Sequence, residues 1–247
     1  PEPVINGFTI GIAVIIATSQ LKDFLGLSVA AVPAEFLAKI EVLWSAGPTF
    51  SAASALIGLA TMVLIVFFRR MAPKLPGLIV AVACTSAVVA LADLPVDTIG
   101  SRFGALPRSL PWPGLPQISL ARLGDLLPSA IVIAFLAGVE SLLSAMVADR
   151  MTAGKHRPNA ELLARGAANI GSSLFGGMPA TGAIARTATN IRAGGQTPVA
   201  GMIHALTVLI VMLCASGLVG YLAMPALAGL LIITAWNMSE PHKWRGY

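Results

Sequence analysis

The chain has 247 residues, of which 56% are hydrophobic and only 11% charged, and its mean hydropathy is +0.84. Soluble domains carry roughly 25% charged residues, so a soluble globular fold is excluded, and the continuous apolar runs lack the period-two alternation of a transmembrane β-barrel. The net charge of +5 is gathered in short clusters at the ends of apolar runs, which is the signature of membrane topology and not of nucleic-acid binding.

These features predict an all-α polytopic membrane protein. In chain order the expected spans are 4–20, 48–68, 76–92, 128–148 and 162–175. An uncharged run from 193 to 239 is too long for one crossing and divides near 217–225 into 197–217 and 225–238. Each is close to the ~20 residues that cross ~30 Å of hydrocarbon. A mixed segment, 34–45, precedes the second span and reads as amphipathic. Cys84 and Cys214 lie inside apolar spans and read as small buried hydrophobes. The small residues of the fifth span (Gly166, Ala167, Ala168, Gly171, Ser172, Ser173) read as allowing close helix approach. His204, alone in its span, reads as a packing or hydrogen-bonding group. The chain opens on Pro1-Glu2-Pro3 without an initiator methionine or signal peptide, and it is expected to be part of a larger protein.

Basic clusters occur at Arg69-Arg70-Lys74, at Arg150-Lys155-Arg157-Arg165, at Arg192 and at Lys243-Arg245. Alternating spans place all four on the cytoplasmic side, provided that 178–192 crosses once. The Pro-rich linker 93–127 is then an external excursion. Fifteen residues of continuous helix reach only about 22 Å, short of the ~30 Å core. If Met178-Pro179-Ala180-Thr181-Gly182 is extended and the remainder helical, the reach is about 30 Å. Gly176, Gly177 and Pro179 disfavour helix, and 183–191 permits one. The prediction is therefore a half-helix that starts near the midplane after an extended segment. Irregular backbone at that depth is tolerated only where it is buried in protein or lines a cavity, and short Gly- or Pro-interrupted spans mark transporter binding sites.

Arg186 falls in the first turns of this half-helix. A charge at that depth is costly and marks function. The N–H groups and dipole of the helix end, the Arg186 charge and the hydroxyls of Thr181 and Thr187 together describe a site for an anion. The alternative is a structural pairing of Arg186 with Glu140. Glu140, the one acid within 128–148, is either a proton carrier, a Na+ ligand or that counter-ion. Ser144 lies one turn further along the same face, where a hydroxyl and a carboxylate can share a cation; helix packing is the alternative for it. No phosphate-binding loop, Cys/His metal spacing or nucleophile–base pair is present in the sequence, so no enzyme, cofactor or structural metal is expected.

The stretches Gly138-Val139-Glu140-Ser141-Leu142-Leu143, Val147-Ala148-Asp149, Asn169-Ile170, and Leu174 through Asn190 (LFGGMPATGAIARTATN), followed by Ala193-Gly194 and Thr197-Pro198, closely resemble the SulP sulfate-permease family. The opening Pro3–Thr9 with Gln20-Leu21-Lys22 is also similar to a segment of that family. The resemblance covers most of the chain. It implies a fold of fourteen segments in two inverted seven-segment repeats, with a core domain that moves against a gate domain. On that pattern residues 1–92 are gate helices (segments 5–7), 93–127 the linker, 128–218 core helices (segments 8–11, the broken helix at 178–192) and 219–247 a gate helix (segment 12). Segments 1–4, 13 and 14 and the cytoplasmic STAS domain would lie outside this chain, and with them the half of the anion site carried by segment 3.

Carried over by residue, the resemblance makes Arg186 the anion-site arginine. Ala185 stands at a position that is often serine, which leaves its backbone amide as the donor. Glu140 matches an acidic coupling position, and Ser144, with backbone carbonyls at Gly182 and Ala183, matches a sodium-site neighbourhood. The expected function is secondary active transport of a small anion (sulfate, bicarbonate or a dicarboxylate), proton-coupled, by an elevator-like mechanism, with Na+ the other candidate coupling ion. A nucleobase permease of the same fold and an anion channel or motor-like protein are the alternatives. The expected setting is the cell inner membrane, as a multi-pass protein in contact with the lipid bilayer, and the full-length protein is expected to form a homodimer.

Overall fold

The computed structural model describes residues 2–73, 75–116 and 119–239; Lys74, Lys243 and Arg245 of the basic clusters fall outside them. Ten α-helices follow one another: α1 (Glu2–Leu25), α2 (Phe36–Ser45), α3 (Ala52–Met71), α4 (Gly77–Leu91), α5 (Ile99–Phe103), α6 (Leu120–Thr152), α7 (Pro158–Leu174), α8 (Ile184–Arg192), α9 (Val199–Val219) and α10 (Met224–Met238). Beyond a single antiparallel bridge between Thr98 and Ala223, no β-structure occurs among the described residues. Among the described residues three helices, α3, α6 and α9, are long and apolar enough to cross a membrane.

The chain divides into two compact units, Pro1–Leu106 with Cys214–Tyr247, and Pro107–Leu213; the division falls within α9. In the first unit, α3 buries Ser54, Ile57, Gly58, Thr61 and Ile65, which the 3.6-residue period places on one face. That face meets α4, through Ala81, Val82, Thr85, Ser86 and Val89, and α10, through Pro225, Ala226, Ala228, Gly229 and Ile233. The helices approach closely where the small residues Gly58 and Gly229 meet. A Cβ on Gly229 would stand 2.7 Å from the carbonyl oxygen of Gly58, so only glycine fits there. The hydroxyls of Thr61 and Thr85 lie 2.8 Å apart in the same interface and are further bonded to their own helix carbonyls.

The ends of the first unit are tightly closed. α1 stops at Gly26, whose φ of +63° sends the amide of Leu27 back to the carbonyl of Lys22 at 2.8 Å, a left-handed helix termination. Asp23 in its last turn pairs with Arg102 of α5. Amphipathic α2 buries Leu43 and Lys39, and the Lys39 ammonium donates to Ser19 Oγ on α1 at 2.9 Å. Amides of Ile99 and Gly100 donate to the carbonyls of Leu222 and Gly220, and that of Met224 to Asp97. The first part of the 93–127 excursion is thus tied to the chain that leads into α10.

Three expectations need correction. The span expected over 128–148 is longer: Ser119 caps α6 by accepting from the Arg122 amide at 3.2 Å, and the helix continues through Pro128. Proline there forfeits one backbone hydrogen bond, and a 33-residue helix absorbs that loss where a short one would end. Cys84 and Cys214 are free but exposed, because no other described residue packs over the helix faces that carry them. In α7, Gly166 and Gly171 have open space where a Cβ would go, so close helix approach is not their role among the described residues.

Candidate functional site

The second unit is built around the segment between α7 and α8. The carbonyl end of α7 turns at Gly176, with φ +68°, and a Cβ on Gly177 would fall 2.3 Å from Ser172 Oγ. These two glycines let the chain leave the helix and double back along it. Residues 177–183 are non-helical and α8 starts at Ile184, with its first helical bond from the Thr187 amide to the Ala183 carbonyl at 3.0 Å. The half-helix preceded by an extended segment is therefore where the sequence predicted it.

An extended strand without a neighbouring strand leaves its N–H and C=O groups to be satisfied by other means. Here side chains of two helices satisfy them. From α7, Asn169 Nδ2 donates to the Ala180 carbonyl at 3.0 Å while Asn169 Oδ1 accepts from the Ala180 amide at 2.7 Å, an imitation of β-pairing by one side chain. Ser172 Oγ donates to the Met178 carbonyl at 3.2 Å. From α6, Ser141 Oγ accepts from the Gly182 amide at 3.3 Å and lies 3.2 Å from Thr181 Oγ1, which itself donates to the Ala137 carbonyl at 3.0 Å. Each hydroxyl has one proton, so the direction of the chain is settled: Gly182 N–H to Ser141, Ser141 to Thr181, Thr181 to Ala137. Ser144 and Thr187 close the row with their hydroxyl oxygens 2.6 Å apart. Ser141 and Ser144 are 1% and 5% exposed, a depth at which such partners are obligatory.

The expected site residues fall into place as follows. Thr181 and Thr187, read as hydroxyl donors to an anion, both have their hydroxyls engaged with α6, as does Ser144 with α8. Gly182 and Ala183 form the entry to the half-helix, and Ala183 provides no side-chain cap for its first turn. Ala185 lies in α8; its side chain is outside the described residues. Arg186 is exposed and Glu140 half-buried. The ion pairs among the described residues are Arg102–Asp23, His156–Asp149 and Arg165–Glu161, so the alternative of an Arg186–Glu140 pair is not realised. His204 is exposed on α9.

Two residues of the site were not singled out from sequence for what they do. Asn169 is the clamp just described. In the sequence Arg165 is only one of a basic cluster, yet its Nη2 lies 3.1 Å from where a Cβ on Gly182 would be, and 3.1 Å from Glu161 Oε1. Its Nε is buried without a partner. The signal was in the spacing: Glu161, Arg165, Asn169 and Ser172 recur at intervals of four, four and three, a polar stripe on one face of α7.

Comparison with known proteins agrees with this architecture. The sulfate permease family matches residues 1–245. The "Putative sulfate transporter YvdB" of Bacillus subtilis (strain 168) is 44% identical over 243 residues, covering 97% of this chain and 46% of that protein. The "Bicarbonate transporter BicA" of Synechocystis is 32% identical over 235 residues, covering 93% and 40%. This chain thus spans less than half the length of these relatives. Among solved structures, the transmembrane domain of a cyanobacterial bicarbonate transporter, BicA, superposes with a TM-score of 0.83 at 30% identity, over 98% of this chain and 61% of that one. The overall structure of SLC26A9 gives a TM-score of 0.84 at 21% identity, over 99% and 40%, and shows the shared fold.

Proposed function

The chain belongs to the sulfate permease family and is a multi-pass membrane protein, and from that premise we propose that it forms the membrane-embedded part of a secondary active transporter of small anions. The observation that carries this reading is the half-helix itself. A nine-residue helix is entered by an extended segment clamped from both sides, and it bears in its first turn an arginine that is exposed and has no carboxylate partner among the described residues. A helix N-terminus with an unneutralised guanidinium beside it favours an anion. It disfavours a neutral planar nucleobase.

The substrate class is sulfate, bicarbonate or a dicarboxylate; relatives named for sulfate and for bicarbonate support the first two. Arg186 and the backbone amides around Ala185 hold the anion. Thr181 and Thr187 act one step back, since their hydroxyls fix the segment that presents those groups. Glu140, half-buried and without an ion-pair partner among the described residues, carries the coupling proton. The second unit acts as the moving core, 128–218, and the first supplies gate helices, 1–92 and 219–247, in the inner membrane.

Arg186→Ala in the full-length protein, reconstituted in proteoliposomes with a panel of labelled anions, tests the site. Charged hydrogen bonds are worth about 1.5–3 kcal/mol, so uptake of the cognate anion is expected to fall by roughly ten- to a hundredfold at subsaturating concentration. Unchanged uptake would sink the assignment. For coupling, Glu140→Gln is compared with and without an inward proton gradient; accumulation that still follows the gradient would remove Glu140 from the role.

A further inference from the structure

Sodium is the other coupling ion that the family pattern allows, and its oxygen donors would be Glu140, Ser144 Oγ and the carbonyls of Gly182 and Ala183. The residues present do not fit a cation there. The position that a Cβ on Gly182 would occupy lies 3.5 Å from Ser141 Cα, 3.5 Å from Ser144 Cβ and 3.1 Å from Arg165 Nη2. A guanidinium nitrogen therefore stands beside Gly182 at the half-helix entry, within reach of the same point that the two serines of α6 approach. It offers N–H donors only and no acceptor, so it opposes a cation at this place and cannot ligate one.

The guanidinium is held there. Glu161, four residues earlier on α7, accepts from Nη2 at 3.1 Å, and the side chain of Arg165 is only 28% exposed. Its Nε is buried and forms no hydrogen bond, a cost that a surface arginine would escape by swinging into water. The Ser144 hydroxyl, one of the would-be sodium donors, is engaged by Thr187 at 2.6 Å.

We infer that Arg165 is a tethered cation standing where a coupling sodium would have to bind, and that transport by this protein is indifferent to sodium. The inference rests on the anion-transporter reading and decides its coupling ion: a proton at Glu140, or exchange of one anion for another, remains. Arg165 acts here as a positioning residue, through the half-helix entry and not on the anion itself.

The test uses the full-length protein as wild type, Arg165→Lys and Arg165→Gln. Thermal unfolding is followed in sodium, potassium and choline chloride at equal ionic strength. Wild type and Arg165→Lys, which keep the charge, are expected to unfold at the same temperature in all three salts. Arg165→Gln is expected to gain about 2–4 °C in sodium alone, the shift that binding with a few-fold excess of ligand over Kd produces in a protein of this size. In proteoliposomes an inward sodium gradient is expected to raise sulfate uptake by Arg165→Gln at least about fivefold and to leave wild type unchanged. A sodium-specific shift in wild type, or none in a folded Arg165→Gln, overturns the inference. Arg165→Met, which keeps the apolar stem, serves if Arg165→Gln does not fold. If wild type takes up no anion in any salt, the transporter reading fails while the unfolding data still decide the place of Arg165.

Discussion

The two units of this protein are held together by different chemistry. In the first, α3, α4 and α10 meet through Ile57, Ile65, Val82, Val89, Ala226 and Ile233. All the buried apolar side chains among the described residues belong to it. In the second, the buried side chains among the described residues are Ser141 and Ser144, and its order comes from hydroxyls and one amide that grip an irregular strand. Apolar burial is not directional, and it makes a scaffold that tolerates exchange of like for like. Hydrogen bonds are directional, and they fix the path of a segment that no regular element would stabilise. An irregular segment that carries the candidate site needs the second kind of order, and a packed set of regular helices needs only the first.

The contrast is breakable by substitution. The largest effect is expected for Gly229→Val in the first unit, where the carbonyl of Gly58 leaves no room for a side chain. Overpacking costs about 3 kcal/mol and lowers the unfolding temperature by roughly 6–12 °C, while anion uptake per folded molecule stays at the wild-type value. Asn169→Ala comes next. It removes both partners of Ala180, at about 2 kcal/mol, and here uptake per folded molecule should fall further than stability does; an unfolding shift with normal transport would show that the clamp is mere scaffold. Thr61→Val is smallest. It breaks the hydroxyl pair with Thr85 at about 1 kcal/mol, and the loss stays small because the Thr85 hydroxyl keeps its bond to the Ala81 carbonyl. Thr61→Val lowering uptake more than Asn169→Ala would erase the distinction between the units.

Local signals placed the elements well where one residue type dictates the backbone. Pro179 and the Gly176-Gly177 pair forbid a continuous helix, so the break between α7 and α8 was legible, as were α9 and α10 on either side of 220–223. Pro128 is the exception: in the sequence it reads as the start of a span, although α6 begins eight residues earlier at Leu120. The reason is that a proline's effect depends on how much helix surrounds it. Cys84 and Cys214 read as buried and are exposed for a related reason, since an apolar sequence does not distinguish a buried helix face from an outward one.

By itself, then, the sequence determined that the chain is a bundle of membrane helices with one short, strand-led half-helix, because hydropathy, chain reach and the backbone limits of glycine and proline are properties of residues in order. It also supplied Arg186 as the charge in the first turn. Only the tertiary structure decided what surrounds that turn: that Thr181 and Thr187 face α6, that Asn169 pairs with Ala180 as a strand would, that Glu140 and Arg186 do not meet, and that Arg165 reaches Gly182. All of those relations but the one between Asn169 and Ala180 join residues seventeen or more apart, and they depend on which face of α6 and of α7 turns toward the segment. Periodicity lists the residues on a face, but the neighbour that a face meets is set by packing.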